Sequence, residues 1–303
     1  MARTPYKFQQ TLVTADAGFI KTDSHAVWLF PDGTLVKVMG WNGTTYITNC
    51  YKNTNNGVGA WTSVASFPGT GRHWFTSGVI GNKGYVVGGD SAVDMYEYDY
   101  IANTWTLITA ALDIPGVYVA GRGFDGTNFY IAGGQTQPNG VGATALLKLY
   151  RITAAGVVTD MGNLPLVTSS AGVFYAISST RFIYIAGGLY NDGEVLNYKV
   201  IESINSGVSW TEVATLPTNM GGLFSTGIVW AGLIWYQVAN VTDGLYYSGD
   251  FGRNWLKAPY SPRRRHASGM VVNTLDEFMT IGGLDANTAQ PDADIYKYVK
   301  SSF

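Results

Sequence analysis

Short apolar runs recur along the chain, each bounded by turn-forming residues and followed by a glycine pair or its remnant. Tyr85-Val86-Val87 precedes Gly88-Gly89, Tyr130-Ile131-Ala132 precedes Gly133-Gly134, and Tyr184-Ile185-Ala186 precedes Gly187-Gly188. A further copy ends at Gly282-Gly283, and degenerate copies end at Met39-Gly40 and Ala239-Asn240. Runs this short, rich in β-branched and aromatic residues, predict strands and not helices. Between the second residues of the pairs the steps are 49, 45, 54, 52 and 43 residues. Such a period predicts a radial repeat architecture.

The surroundings of each run complete a unit. Upstream lies a turn signal, such as Pro31-Asp32-Gly33, Gly81-Asn82-Lys83-Gly84 or Asp125-Gly126-Thr127-Asn128, after another β-prone stretch. That order predicts a hairpin. Downstream, a polar loop leads to a Tyr-rich strand, as at Met95-Tyr96-Glu97-Tyr98 and Ile295-Tyr296-Lys297-Tyr298. A last strand is headed by Trp61, Trp105, Trp210 or Trp255, and the third unit has Val157-Val158-Thr159 instead. The expected fold is all-β: one domain over 1–303 forming a six-bladed β-propeller of four-stranded antiparallel blades. The blades fall near 16–67, 68–115, 116–167, 168–219, 220–262, and 263–303 plus 5–14. The last unit has no Trp-led strand, so Tyr6 to Val13 is expected to complete it and close the ring, with Phe8 in the Trp position.

With the diglycine after an apolar strand, the downstream Tyr and Trp, and a basic or His residue before the next unit, the chain resembles the kelch family. Two turns are similar to the Asp-box of sialidase-type propellers, pattern S-x-D-x-G-x-x-W. Ser248-Gly249-Asp250-Phe251-Gly252-Arg253-Asn254-Trp255 fits throughout, and Ser203 to Trp210 fits with Asn205 for Asp. That resemblance implies a structural hairpin turn away from any active site.

Composition narrows the setting. Charged residues make up 13% of the chain and the net charge is −2, which gives no electrostatic basis for nucleic-acid binding. No apolar stretch is long enough for membrane insertion, and the N-terminus has no signal-peptide core, so a cytoplasmic or virion location is expected. The single cysteine, Cys50, excludes an internal disulfide and a multi-Cys metal cluster.

In an up-and-down unit, the loop after the diglycine and the loop entering the next unit share a face. That face collects the candidate ligand- or partner-binding set: Arg72, His73, Trp74, Tyr118, Gln135, Tyr190, Asp192, Asp243, Arg264, Arg265 and Asp285. Carboxylates, amides, guanidinium groups and aromatics together suit a glycan or protein surface. His25, His73 and His266 precede their glycine pairs by 14, 15 and 16 residues, which places them at equivalent positions. A structural role is expected for them, with no metal and no other cofactor. No nucleophile–base pair is legible, so no catalytic residue is assigned and the chain is expected not to be an enzyme. The function expected is a recognition propeller, such as a phage tail or capsid-decoration protein binding a host glycan or another virion protein. The alternatives are an intracellular kelch scaffold for a protein partner and a sugar-modifying propeller, a mutarotase or a glycosidase-like enzyme.

Overall fold

The computed structural model describes the chain except for residues 1–5, 16, 138–143, 166–171, 187–188, 191–194, 197–198, 218–224, 239–243, 259–264, 267–268, 286–289 and 303. Strand β1 (Tyr6–Thr14) comes first. An antiparallel unit follows, pairing in chain order: β2 (Ala26–Leu29), β3 (Leu35–Trp41), β4 (Tyr46–Asn53) and β5 (Thr62–Val64). The order repeats in β6 (Thr76–Ile80), β7 (Lys83–Gly89), β8 (Ala92–Asp99) and β9 (Thr104–Thr109). Next come β10 (Gly121–Phe124), β11 (Asn128–Ala132), β12 (Lys148–Thr153) and β13 (Val158–Asn163). They are followed by β14 (Val173–Ala176), β15 (Phe182–Ala186), a small hairpin of β16 (Leu189–Tyr190) and β17 (Val195–Leu196), then β18 (Lys199–Ser203) and β19 (Thr211–Thr215). One parallel bridge, Arg122 to Val173, joins β10 to β14. Then come β20 (Thr226–Trp230), β21 (Leu233–Val238), β22 (Gly244–Ser248) and β23 (Leu256–Lys257). The final sheet holds β24 (Arg265–His266), β25 (Gly269–Val272), β26 (Phe278–Asp285) and β27 (Gln290–Ser302), and β1 pairs antiparallel with β27. The described residues are all-β, a propeller-like ring of small antiparallel sheets.

The core lies between sheets and not inside one. In β3, Val36 and Val38 pack with Trp28, Phe75, Val86 and Tyr98, while Leu35 on the opposite face packs with Trp61, Met279 and Ile281. A strand covered on both faces needs apolar residues at successive positions, which is why the sequence shows runs and not alternation. Phe8 of β1 is buried against Trp230, Trp235 and Tyr247. One charged residue interrupts this packing. Lys37 of β3 is fully buried, its Nζ without a hydrogen-bond partner and 5.0 Å from the centre of the Phe19 ring.

Among the described residues, register slips fall at Gly40, Gly89 and Gly283. The register of β7 against β8 slips between Val87 and Gly89, and Gly88 and Gly89 take φ of +61° and +101°. A Cβ on Gly89 would lie 2.7 Å from the His73 carbonyl oxygen. The same crossing recurs where Gly134 lies under the Tyr118 carbonyl and Gly40 under that of Asp23. The entry loop of each of these sheets thus runs directly over the end of its second strand, where a side chain does not fit.

On the opposite face, Ser248 Oγ donates to Asp250 Oδ1 (2.8 Å) and accepts from the Gly252 amide (2.8 Å). The Asp250 carboxylate accepts from the backbone and side-chain amides of Asn254 at 2.9 and 2.6 Å. Ser203 and Asn205 repeat these bonds to Gly207 and Ser209. A third turn of this kind, not legible beforehand, uses Asn53, whose Oδ1 accepts from the Asn55 and Gly57 amides at 2.8 and 2.9 Å. Asp250→Ala is expected to cost about 1–2 kcal/mol, read as a lowered urea midpoint with an unchanged slope.

Candidate functional site

The loop crossings bring the candidate residues together. Asp23 and Trp41 exchange backbone hydrogen bonds of 2.9 and 3.1 Å, as do Tyr118 and Gln135 at 2.9 and 3.0 Å. In the second unit a side chain makes the link instead. The Asp90 carboxylate accepts from the His73 amide (2.9 Å) and lies 2.6 Å from His73 Nδ1. His73 Nε2 lies 3.2 Å from the Tyr46 hydroxyl, within hydrogen-bond reach. The phenol of Tyr46 is pushed above its ordinary range, first by burial and then by the charge of Asp90. Burial likewise raises the Asp23 carboxyl, against the hydrogen bond from Ser24 and the pull of His73.

Rings line up along this seam. Trp41 meets Tyr46 edge-on at 4.9 Å between ring centres, Tyr46 meets His73 at 5.0 Å, and His73 meets Trp74 at 3.3 Å. Trp41, His73 and Trp74 are half-buried and Tyr46 is 36% exposed. The row spans the boundary between the first two sheets, and its Trp74 end shares a small recess with Thr76 and Arg122. The first strands, β2, β6, β10, β14, β20 and β25, enclose a cavity of about 500 Å³. Arg122 of β10 lines it and, with Trp74, also lines that recess beside Gly89. Burial lowers the Arg122 pKa to about 10, with the Asp90 charge opposing the shift, so the guanidinium stays charged at neutral pH.

Two expectations change. Arg72 does not offer its guanidinium to the face: it is 2% exposed, ion-paired to Asp94 at 2.6 Å and seated over the Phe67 ring. Gln135 is likewise buried, tied into the crossing with Tyr118. The histidines are not equivalent. Ser24, Trp74 and Val119 share the left-handed turn of the entry loop, so His25 follows that turn whereas His73 precedes it. His25 is buried, with Nε2–H donating to the Ile281 carbonyl (2.9 Å), and Nδ1 lies 3.3 Å from Thr22 Oγ1. Among the described residues no three His, Cys, Asp or Glu side chains gather as a metal set. His73, Trp74 and Tyr118 lie at the crossings. Asp192, Asp243 and Arg264 lie outside the described residues, as do the side chains of Tyr190, Arg265, His266 and Asp285. Trp41, Tyr46 and Arg122 were missed. The one sequence signal for Arg122 is its place between Gly121 and Gly123 in a first strand.

No family model and no curated protein sequence matches the chain. Among solved structures it is similar to the one titled "Structure of YjhT", with a TM-score of 0.74 and 14% sequence identity, over 93% of this chain and 96% of that chain. At this identity the likeness is one of fold: the chain is a β-propeller.

Proposed function

We propose that the chain is a six-bladed, kelch-type propeller closed by β1, and that it recognises a glycan through the channel mouth on the diglycine side. Six apolar clusters support the blade count, each joining neighbouring sheets. Closure is supported by the β1–β27 pairing and by the first strands, where β2 touches both β6 and β25. The observation that carries the recognition reading is the ring row from Trp41 to Trp74 beside Asp23, Asp90 and an open cavity. Aromatic faces take the C–H surfaces of a sugar, and carboxylates take its hydroxyls. Low charge and loops rich in Gly, Asn and Thr support a place on a virion exterior, as a phage tail or capsid-decoration protein. Tyr46→Ala is expected to weaken binding on a glycan array about tenfold or more while leaving the unfolding midpoint unchanged. A full-strength signal from that variant, or no glycan bound by the parent chain, overturns the reading.

The Asp90–His73–Tyr46 row favours a second reading, acid–base catalysis of sugar mutarotation. The imidazole would take the anomeric hydroxyl proton by way of the Tyr46 hydroxyl, and a solvent water would protonate the ring oxygen as the C1–O5 bond breaks and the carbonyl forms. Anomer exchange followed by NMR tests it: rates equal to buffer alone reject it.

A further inference from the structure

We infer that the central cavity contains an oxyanion site built around Arg122, taking a carboxylate, phosphate or sulfate group of a small ligand. The inference stands whether or not the outer face binds glycan.

The Arg122 backbone pairs within β10, but its guanidinium makes no hydrogen bond or ion pair with the side chain of any described residue. The nearest counter-charge to act on it is Asp90, and that carboxylate is already engaged by the imidazole and amide of His73. Among the described residues lining the cavity, no carboxylate faces the guanidinium. Trp28, Phe124 and Phe174 line the cavity with rings, and Ser77 and Thr226 line it with hydroxyl-bearing side chains. Arg122 is partly exposed to the cavity, so its guanidinium donors face solvent there and no described side chain competes with a ligand for them. The guanidinium presents a planar fork of donors matched to two oxygens of an oxyanion, and a hydroxyl can add a neutral donor. At about 500 Å³ the cavity is of the size that holds small ligands.

The test is calorimetric titration of the full chain with acetate, inorganic phosphate and sulfate, with chloride as the control. At least one oxyanion is expected to bind with Kd below about 1 mM and to raise the unfolding temperature with concentration. Arg122→Met is expected to lose that binding at least tenfold while unfolding no earlier than the parent in anion-free buffer, because no described side chain depends on the guanidinium for a partner. A structural arginine would show the reverse, early unfolding. Should Arg122→Met not fold, Arg122→Lys keeps the charge without the fork and is expected to bind at least tenfold more weakly. The site is refuted if no oxyanion binds more tightly than chloride, or if a folded Arg122 variant binds as the parent does. The three anions distinguish a carboxylate ligand from a phosphate or sulfate ester.

Discussion

Lys37→Met is expected to stabilise the chain by on the order of 4 kcal/mol at pH 6, and the gain is expected to vanish as the pH approaches that of a free lysine. Lys37 is fully buried among apolar residues, and burial lowers its pKa from 10.5 to about 7, with a small opposing effect of Cys50. Above pH 10.5 the amine is neutral in both folded and unfolded chains, so it costs little. Between pH 10.5 and about 7 the unfolded chain holds the proton and the folded one does not, so folded stability falls as the pH falls. Below about 7 both forms are charged and the whole penalty applies. Methionine has nearly the same length and no charge, so it fills the same space between Phe19 and Tyr51. Urea titrations of both chains at pH 6 and pH 9.5 check this. A variant less stable than the parent at pH 6 would mean that the ammonium is held by an unseen partner.

Gly89→Ala is expected to cost about 3 kcal/mol or more, from two sources that a control separates. Its φ of +101° strains any L-residue, and its Cβ would press the His73 carbonyl at 2.7 Å and Phe75 Cβ at 2.8 Å. Gly81 also has positive φ, +59°, but a methyl placed there meets no atom within 4 Å. Gly81→Ala is therefore expected to cost about 1–2 kcal/mol from conformation alone. Relief of the clash at Gly89 must move the loop carrying His73 and Trp74, so the glycan binding proposed for that face is expected to fall along with stability. Equal losses at Gly81 and Gly89 would remove close approach as the reason for the glycine pair.

The repeat, the hairpins and the glycine pairs were legible because each is imposed within a few residues. Left-handed backbone under a crossing carbonyl requires glycine at Gly89 and Gly134, and strands buried on both faces require unbroken apolar runs. The site was harder to read. Arg72 and Arg122 are the same residue type near a first strand, yet one is sealed against Asp94 and Phe67 while the other faces the cavity. His25 and His73 stand at nearly equal distances from their glycine pairs, but the entry turn shifts one by two positions, which sends its ring inward. The ring row joins residues 41, 46, 73 and 74, whose nearness depends on how two sheets abut.

By itself, then, the sequence determined the repeat, the strands of each unit and the two faces of the ring, because backbone geometry and solvent exclusion act locally and recur with the period. Only the tertiary structure decided which side chains meet: that the Arg122 guanidinium has no charged partner among the described residues lining the cavity, that Lys37 is sealed without a hydrogen-bond partner, and that Asp90, His73 and Tyr46 lie in contact in a row. Those outcomes depend on the rotation of one sheet against the next, and the contacts that set it come from residues far apart along the chain.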